Sequence, residues 1–416
     1  MTKIIDLYFL LANGLITVKP FAVMYLRTLI ILISSFLLGC SGDEFKKHAN
    51  SENRNTHPLN SDSFWELSKE PDLIIHSSNN DSGVQLYRAS DGRILDNNKI
   101  LIANSGLSQV LLFDSAGVFL KQTGQEGRGP NDFAEFSNIK IHELGAQLLL
   151  TDNSNHRAHF FDYDLNYQAT LNYPKADDHG RLALIDTTIN GNLIFLASQG
   201  GGYLRGQDGD LIEMYRSVFS FNPSTNQIQR ITSLPSRRRM VLKIDENTSF
   251  PFIPFDKNPI LLAYQANTFL VSSSVHPKIS ILNSLGEPVD SIYYNAPMVL
   301  TKDVWQSYKS EIEDWENEAH KKRYRVFYNK PLPLNKYVPS IDEIIVDANC
   351  YLWARRNRID TSLPQKWDVL NTNGDWLGVI EVPSHFTITD IGNTYVFGYT
   401  TESGDEEFRK YALLKN

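Results

Sequence analysis

Residues Lys99–Leu120, KILIANSGLSQVLLFDSAGVFL, decide the fold of this chain. The stretch holds an apolar run, a polar loop, a second apolar run that ends in Phe113-Asp114, a glycine at Gly117 and the start of a third apolar run. Aspartate bonds its own backbone in tight turns, and glycine supplies the positive φ that such turns need. The stretch therefore predicts antiparallel strands joined by short turns.

The same pattern returns along the rest of the chain. The first run recurs at Leu148–Thr151, Leu193–Leu196, Phe269–Ser272, Tyr351–Ala354 and Tyr395–Gly398. An Asp or Asn closes the second run in five of the six copies. With a further short apolar piece before some copies, each repeat resembles a four-stranded unit of about 45 residues, the period of a propeller blade. The sequence therefore predicts an all-β fold, a six-bladed β-propeller with four-stranded blades. A pair of β-sandwiches or a large barrel is the alternative, but neither requires one unit six times.

Two further features belong to this architecture. The last repeat has no fourth strand, and strand candidates at Asp72–Ile75 and Val84–Tyr87 precede the first full repeat, so an N-terminal strand is expected to close the ring. The region 301–323 predicts one helical insertion, capped by Thr301, with an apolar face that includes Val304 and Tyr308. This helix either packs on the ring or serves as a lid or partner-binding element.

The N-terminus has the parts of an export signal. Residues 1–39 are predicted to be a signal peptide, and Met24 alone opens a complete signal, so translation is expected to begin there. Leu37-Leu38-Gly39-Cys40 resembles a bacterial lipobox, in which the cysteine carries the lipid, including palmitate, and becomes the mature N-terminus. Residues 40–63 are too polar to form a core and are expected to be a flexible tether, which leaves 64–416 for the propeller.

The lipid would place the protein in the bacterial cell envelope, anchored to a membrane. Ser41 after the cysteine is typical of outer-membrane lipoproteins, and Asp43-Glu44 resembles acidic surface-export tags or is a solvated part of the linker. The periplasmic and the surface-facing location both remain open. With Cys40 used by the lipid, Cys350 is expected to stand alone as a small apolar residue at the edge of a strand.

The charge of the chain excludes one class of partner. The formal net charge is −8 at pH 7. No extended stripe of Lys and Arg is present in the sequence to neutralise phosphates, so nucleic acid is not a predicted partner.

Two segments carry a resemblance to a known family. Gly124–Phe133 resembles the Gly-x-Gly-Pro-Gly-Glu-Phe linker between blades of bacterial six-bladed propeller lipoproteins related to NHL-repeat propellers, although Asn131-Asp132 replaces the usual Gly-Glu. Val338–Ile341, with Val346–Asn349 and Leu352-Trp353 after it, is similar to the segment that enters a late blade in that family. The resemblance covers about residues 70 to 416.

The resemblance also suggests where chemistry would lie. NHL-like propellers include lactonases, lyases and amidating enzymes, which implies a metal near the axis, held by residues just past the first run of several blades. Here those positions are Asn104, Asp152, Ala197, Ser273, Arg355 and Tyr399. Asn104 and Asp152 carry oxygens suited to a hard cation such as calcium, but two such ligands do not make a site and Arg355 would repel a metal. No metal, no cofactor and no catalytic residue are therefore predicted.

Two basic clusters remain as candidates for binding. Arg355 and Arg356, beside Trp353 and Tyr399, either form an anion or sugar pocket or belong to a solvated loop. Arg237–Arg239 is most simply a solvated loop.

The sequence predicts an envelope-anchored lipoprotein whose propeller is a non-catalytic binding or scaffold module for a protein or a glycan. The alternative is a metal-dependent hydrolase or lyase of the NHL-like type with a site on the central axis. The predicted binding residues are Arg355, Arg356, Trp353, Tyr399, Asn104 and Asp152.

Overall fold

A computed structural model describes most of the chain beyond residue 64. The described residues are 65–76, 84–135, 137–176, 180–188, 190–198, 204–244, 246–265, 268–273, 278–293, 298–314, 317–401 and 406–415. The predicted signal peptide, Cys40 and the predicted tether lie outside these residues. No helix among the described residues is both long enough and apolar enough to cross a membrane.

The described strands form six antiparallel sheets arranged as blades, plus one short hairpin. Strands β1 (Trp65–Leu67) and β2 (Leu73–His76) come first in the chain but belong to the last blade.

Blade 1 contains β3 (Asp91–Ile94), β4 (Ile100–Asn104), β5 (Gln109–Phe113) and β6 (Phe119–Thr123). Blade 2 contains β7 (Ile141–Leu144), β8 (Gln147–Asp152), β9 (Arg157–Phe161) and β10 (Tyr167–Asn172). Blade 3 contains β11 (Leu182–Thr187), β12 (Leu193–Ser198), β13 (Leu211–Asn222) and β14 (Gln227–Met240), followed by the hairpin β15 (Leu242–Ile244) and β16 (Asn247–Ser249). Blade 4 contains β17 (Ile260–Tyr264), β18 (Thr268–Ser272), β19 (Lys278–Leu282) and β20 (Pro288–Tyr293). Blade 5 contains β21 (Ile341–Val346), β22 (Leu352–Arg356), β23 (Gln365–Leu370) and β24 (Trp376–Val382). Blade 6 contains β25 (Phe386–Ile391), β26 (Tyr395–Thr400) and β27 (Glu407–Lys415).

The first strands of the blades lie next to one another around a central axis. Strand β3 contacts β7 and β25, and β11 contacts β7 and β17, while β17 also contacts β21. The first strand of each blade is therefore the inner strand, and the last strand lies at the rim. The six-bladed ring predicted from the repeats is confirmed.

N-terminal strands close the ring, as predicted. Strand β27 pairs with β26 on one side and with both β2 and β1 on the other, so it has no free edge along these segments. The indole of Trp65 packs edge-on against Trp353 of blade 5, with ring centroids 5.7 Å apart. The closing segment is therefore held by hydrogen bonds to blade 6 and by aromatic packing against blade 5.

One strand candidate is corrected. Residues 84–87 belong to no sheet. The side chain of Asn104 replaces a neighbouring strand there, since its Oδ1 accepts from the Tyr87 amide at 2.7 Å and its Nδ2 donates to the Gln85 carbonyl at 2.7 Å.

The core lies between the faces of neighbouring blades. Leu112 of blade 1 packs with Leu148 and Phe161 of blade 2 in one buried cluster, and Phe397 of blade 6 packs with Phe113 of blade 1 in another. Because successive side chains in a strand point to opposite faces, each central strand supplies apolar groups to both of its neighbours. This explains why the second and third strands read as nearly continuous apolar runs.

The helical insertion is present but is divided into two helices. Helix α1 spans Lys302–Ser310, a 3₁₀ turn spans Glu311–Asp314, and helix α2 spans Glu318–Tyr328, five residues beyond the expected end. Asn317 has an extended backbone, and its side chain accepts from the amide of His320 at 3.0 Å, so it starts a new helix. The aromatic faces of both helices pack with Met240 and Leu242, which follow the long β13–β14 hairpin. The structure therefore shows the helices packed on inserted segments of blade 3.

Candidate functional site

Asn104 and Asp152 do not lie together in one ligand site. Both are fully buried, at the ends of β4 and β8. The amide of Asn104 is used by the backbone at Gln85 and Tyr87, as described above. Its oxygen is thus already bonded to the chain.

Asp152 is the centre of a hydrogen-bond network in blade 2. Its Oδ2 accepts from Arg157 Nε at 3.1 Å and from Asn155 Nδ2 at 2.8 Å, while its Oδ1 accepts from Ser137 Oγ at 3.1 Å. Arg157 in turn donates to the carbonyl oxygens of Arg128 at 2.8 Å and Asp132 at 2.9 Å. The pair therefore clamps the linker 124–133 onto the blade. Sequence reasoning missed Arg157, although a basic residue five positions after the aspartate was a visible signal.

The aromatic members of the predicted pocket separate in the structure. Trp353 is fully buried and its Nε1 donates to Asp347 Oδ2 at 3.1 Å, so it contacts the core and no solvent. Burial raises the pKa of Tyr399, and the carboxylates of Glu406, Asp91 and Glu343 raise it further. The two side chains therefore lie in different surroundings and form no shared pocket.

The two predicted arginines take different partners. Arg355 Nε donates to Asp342 at 2.6 Å and its Nη1 lies 2.9 Å from Glu343, both on the inner strand β21. Arg356 forms a bidentate pair with Asp368 on β23, at 2.8 and 2.7 Å. Adjacent strand residues point to opposite faces, so the structure does not bring these two guanidinium groups into one pocket.

The inner strands carry a set of charged residues that we call the channel cluster: Arg93 on β3, His142 on β7, Asp186 on β11 and Asp390 on β25. Arg93 Nη1 lies 3.4 Å from Asp390 Oδ1, which joins blades 1 and 6. His142 Nδ1 lies 3.9 Å from Asp186 Oδ1, which joins blades 2 and 3. Four of the six blades therefore contribute to one polar layer around the axis.

Arg93 is held in its charged form by several carboxylates. Burial alone would lower the pKa of Arg93, but Asp390, Asp91, Glu143 and Asp186 together raise it above its ordinary value. Asp390 also accepts from the Ile94 amide at 3.0 Å. The arginine is thus a permanent cation in an acidic surrounding.

The pKa values of His142 and Asp186 in this cluster are strongly shifted. Burial, followed by the charge of Arg93, lowers the pKa of His142 to about 4. Burial raises the pKa of Asp186 to about 6, against the opposing effect of hydrogen bonds from the amides of Ala263 and Thr187. At neutral pH the layer therefore holds a neutral imidazole beside a carboxylate that protonates readily. Such perturbed groups concentrate at functional sites.

Two polar atoms of this cluster have no hydrogen-bond partner among the described residues. They are Nε of Arg93 and Nε2 of His142, and both are buried. The His142 side chain is only 9% exposed. Buried polar atoms are nearly always bonded in proteins, so these two atoms are available to a polar partner such as water or a ligand.

A second polar layer lies towards the beginnings of the inner strands. Lys140 Nζ donates to the Ser90 carbonyl at 2.7 Å and lies 4.0 Å from Asp91 Oδ1. Burial raises the pKa of Glu343, and the charges of Arg355 and Lys140 oppose that shift. The channel thus presents donors and acceptors close together along its length.

Within the described part of the chain, no group of three or more His, Cys, Asp or Glu side chains is placed to hold a metal ion. Cys350, expected to stand alone, is disulfide-bonded.

Comparison with known proteins agrees with this architecture. Residues 90–198 match the model of the DUF5128 family, which is described as a 6-bladed beta-propeller. The chain is a six-bladed β-propeller. The matched residues cover blades 1 and 2 and the start of blade 3 of this propeller. No curated protein sequence matches the chain.

Several solved structures are similar in fold. A member of the DUF4221 family from Bacteroides vulgatus has 9% identity and a TM-score of 0.50, covering 85% of this chain and 99% of that chain. A candidate exported protein from Bacteroides fragilis has 13% identity and a TM-score of 0.47, covering 86% and 98%. The virginiamycin B lyase from Staphylococcus aureus has 11% identity and a TM-score of 0.40, covering 84% and 100%. The TM-score of 0.50 to the DUF4221 structure supports the fold alone, and none of these similarities carries a function over to this propeller.

Proposed function

We propose that this propeller is an envelope-anchored, non-catalytic binding module whose channel takes a hydroxyl-rich group, such as a sugar unit of a glycan. The observation that supports this most directly is the pair of unpartnered buried atoms, Arg93 Nε and His142 Nε2, on neighbouring inner strands.

The chemistry of the layer favours a hydroxylated ligand over a simple anion. Arg93 offers only donors, whereas Asp186 and Asp390 offer acceptors within the same layer. A hydroxyl both donates and accepts, so neighbouring hydroxyls of one sugar satisfy both kinds of group. An anionic ligand would instead be repelled by the carboxylates around Arg93.

The test is binding of the fluorescently labelled full chain to an array of glycans and glycan-free peptides. The variant is His142→Gln, and the control is His385→Gln, which changes an exposed histidine at the start of blade 6. We expect a set of glycans to bind the unmodified chain and the control, and to lose binding to His142→Gln. Binding that is unaffected by His142→Gln, or binding to peptides alone, would refute the channel as a glycan site.

The anchor is the second part of the proposal, and it rests on the lipobox-like Leu37–Cys40. Because the chain has only two cysteines, a lipid on Cys40 and a disulfide at Cys350 within one chain exclude each other. Labelling of cells with radioactive palmitate separates the two states, since only the lipoprotein takes up the label. The outer membrane is the proposed destination.

A further inference from the structure

Three consecutive arginines on β14 have different surroundings. The structure corrects the expectation of a solvated loop for them, because Arg237–Arg239 lies within a long strand that pairs with β13. Arg238 is fully engaged: its Nε and Nη2 donate to the two carboxylate oxygens of the buried Asp256 at 2.9 and 3.0 Å. Arg237 and Arg239 lie on either side of it along the strand, and no described carboxylate pairs with them.

A phenylalanine holds these two arginines in place. The Cζ of Arg239 lies 3.8 Å from the ring centroid of Phe252, and the Cζ of Arg237 lies 5.7 Å from the same centroid. Arg239 Nη1 also donates to the Phe250 carbonyl at 2.9 Å, and the backbones of Arg239 and Phe252 form a β-bridge. Two guanidinium groups are thereby ordered around one aromatic ring before any ligand binds.

No described carboxylate forms an ion pair with Arg237 or Arg239, and Glu213, which lies within electrostatic range of Arg238, pairs with Lys257 at 3.6 Å. Arg239 Nε is buried and lacks a hydrogen-bond partner among the described residues. Burial lowers the pKa of Arg216, and the nearby Arg237 lowers it further, so a third guanidinium lies within electrostatic range. In a chain whose net charge is −8, this concentration of like charge is unfavourable unless an anion compensates it.

We propose that Arg237, Arg239 and Phe252 form a binding site for an acidic oligosaccharide, one that carries carboxylate or sulfate groups. Guanidinium forks match the geometry of such oxyanions. Two residues along a strand have Cα atoms about 6.6 Å apart, so the site presents two guanidinium groups from neighbouring positions to a ligand with repeated charges. Tyr215 is 50% exposed on β13 and pairs with Pro235, which provides an aromatic surface beside the arginines.

The proposed occupant is a soluble glycan and not an anionic membrane. A membrane would meet the whole face of a molecule that is acidic overall, whereas this patch is small and local. The proposal is independent of the channel, because it uses other residues on an outer strand of blade 3.

The experiment is titration calorimetry of the full chain carrying Cys40→Ser, which lacks the lipid and needs no detergent, against four probes: an oligogalacturonate, a heparin-derived oligosaccharide, a neutral maltohexaose, and vesicles containing phosphatidylglycerol. The test variants are Arg237→Gln and the double variant Arg237→Gln/Arg239→Gln. The matched control is Arg230→Gln, which removes the same charge from an exposed position on the same strand.

We expect at least one of the acidic oligosaccharides to bind and maltohexaose not to bind. The double variant should lose about tenfold or more in affinity, the change expected from removing one charge-assisted hydrogen bond, while the control changes less than about twofold. Arg237 is exposed and contacts Phe252 at the surface, so Arg237→Gln alone tests the site even if the double variant does not fold. The proposal is overturned if neither acidic oligosaccharide binds, if maltohexaose binds equally well, if Arg230→Gln weakens binding as much as Arg237→Gln, or if only the vesicles bind.

Discussion

Replacing Asp152 with alanine is expected to destabilise the propeller by about 3–5 kcal/mol, because it leaves Arg157 as a buried charge without its counterion. Asp152 is fully buried and Arg157 is 8% exposed. The substitution also removes the acceptor of Ser137 Oγ and Asn155 Nδ2, and each buried donor left unpaired costs about 1–3 kcal/mol. The bonds from Arg157 to the carbonyls of Arg128 and Asp132 remain and offset part of this loss.

The measurement is equilibrium unfolding in urea, followed by tryptophan fluorescence. Asp152→Ala, Arg157→Leu and the double variant form one cycle. Because the double variant removes both charges, its loss of stability should be smaller than the sum of the two single losses. A coupling energy close to zero between Asp152 and Arg157 would show that Asp152 does not stabilise the fold through its contact with Arg157 and the linker 124–133.

The same cycle tests Asp152 as a calcium ligand. If Asp152 holds only the clamp, EDTA leaves the unfolding midpoint of the unmodified chain unchanged. If instead EDTA lowers that midpoint and has no effect on Asp152→Ala, the carboxylate binds a metal and the structural explanation is wrong.

Three further outcomes are expected. Burial raises the folded-state pKa of Asp186 to about 6, so ionisation of Asp186 lowers the stability of the fold as the pH rises from about 4 to 6. Burial lowers the folded-state pKa of His142 to about 4, so the stability contributed by His142 increases as the pH rises from about 4 to 6.5. Between pH 4.5 and 6.5, the urea unfolding midpoint of Asp186→Asn should therefore rise more steeply with pH than that of the unmodified chain. If the two midpoints change with pH in parallel, these pKa shifts are wrong. Trp65→Ala should cost about 3–5 kcal/mol by opening a cavity at the ring closure, while Leu363→Ala, at a side chain 57% exposed, should cost little in the same urea titration. Cys40→Ser should abolish palmitate labelling and move the protein from the membrane fraction to the soluble fraction, and continued labelling would exclude Cys40 as the lipid site.

The channel cluster shows why sequence reasoning looked in the wrong place for polar groups near the axis. The expected positions followed the second strand of each blade, where Asn104 and Asp152 in fact bond their own chain. The side chains that meet near the axis lie on the first strands, at Arg93, His142 and Asp186. Asp186, in the largely apolar strand β11, was a visible signal, but nothing local shows that it faces residues from other blades.

The arginines give a second example. Arg237, Arg238 and Arg239 are identical in the sequence, yet one is paired with Asp256, which lies 18 residues further along, and the other two are ordered by Phe252. Their different chemistry depends on the return of residues 250–256 along β14. No periodicity in the strand itself contains that information.

The sequence by itself determined the ring. Nearly continuous apolar runs recur in every blade, and turns closed by Asp114 or its counterparts recur in five of the six, so the repeat alone specifies the architecture. Closure by an N-terminal strand also followed, because a repeat that lacks its fourth strand leaves an edge to be paired. Only the tertiary structure decided which charges meet. The channel cluster joins four blades whose inner strands lie far apart in the chain, and contacts of that range depend on how the ring closes.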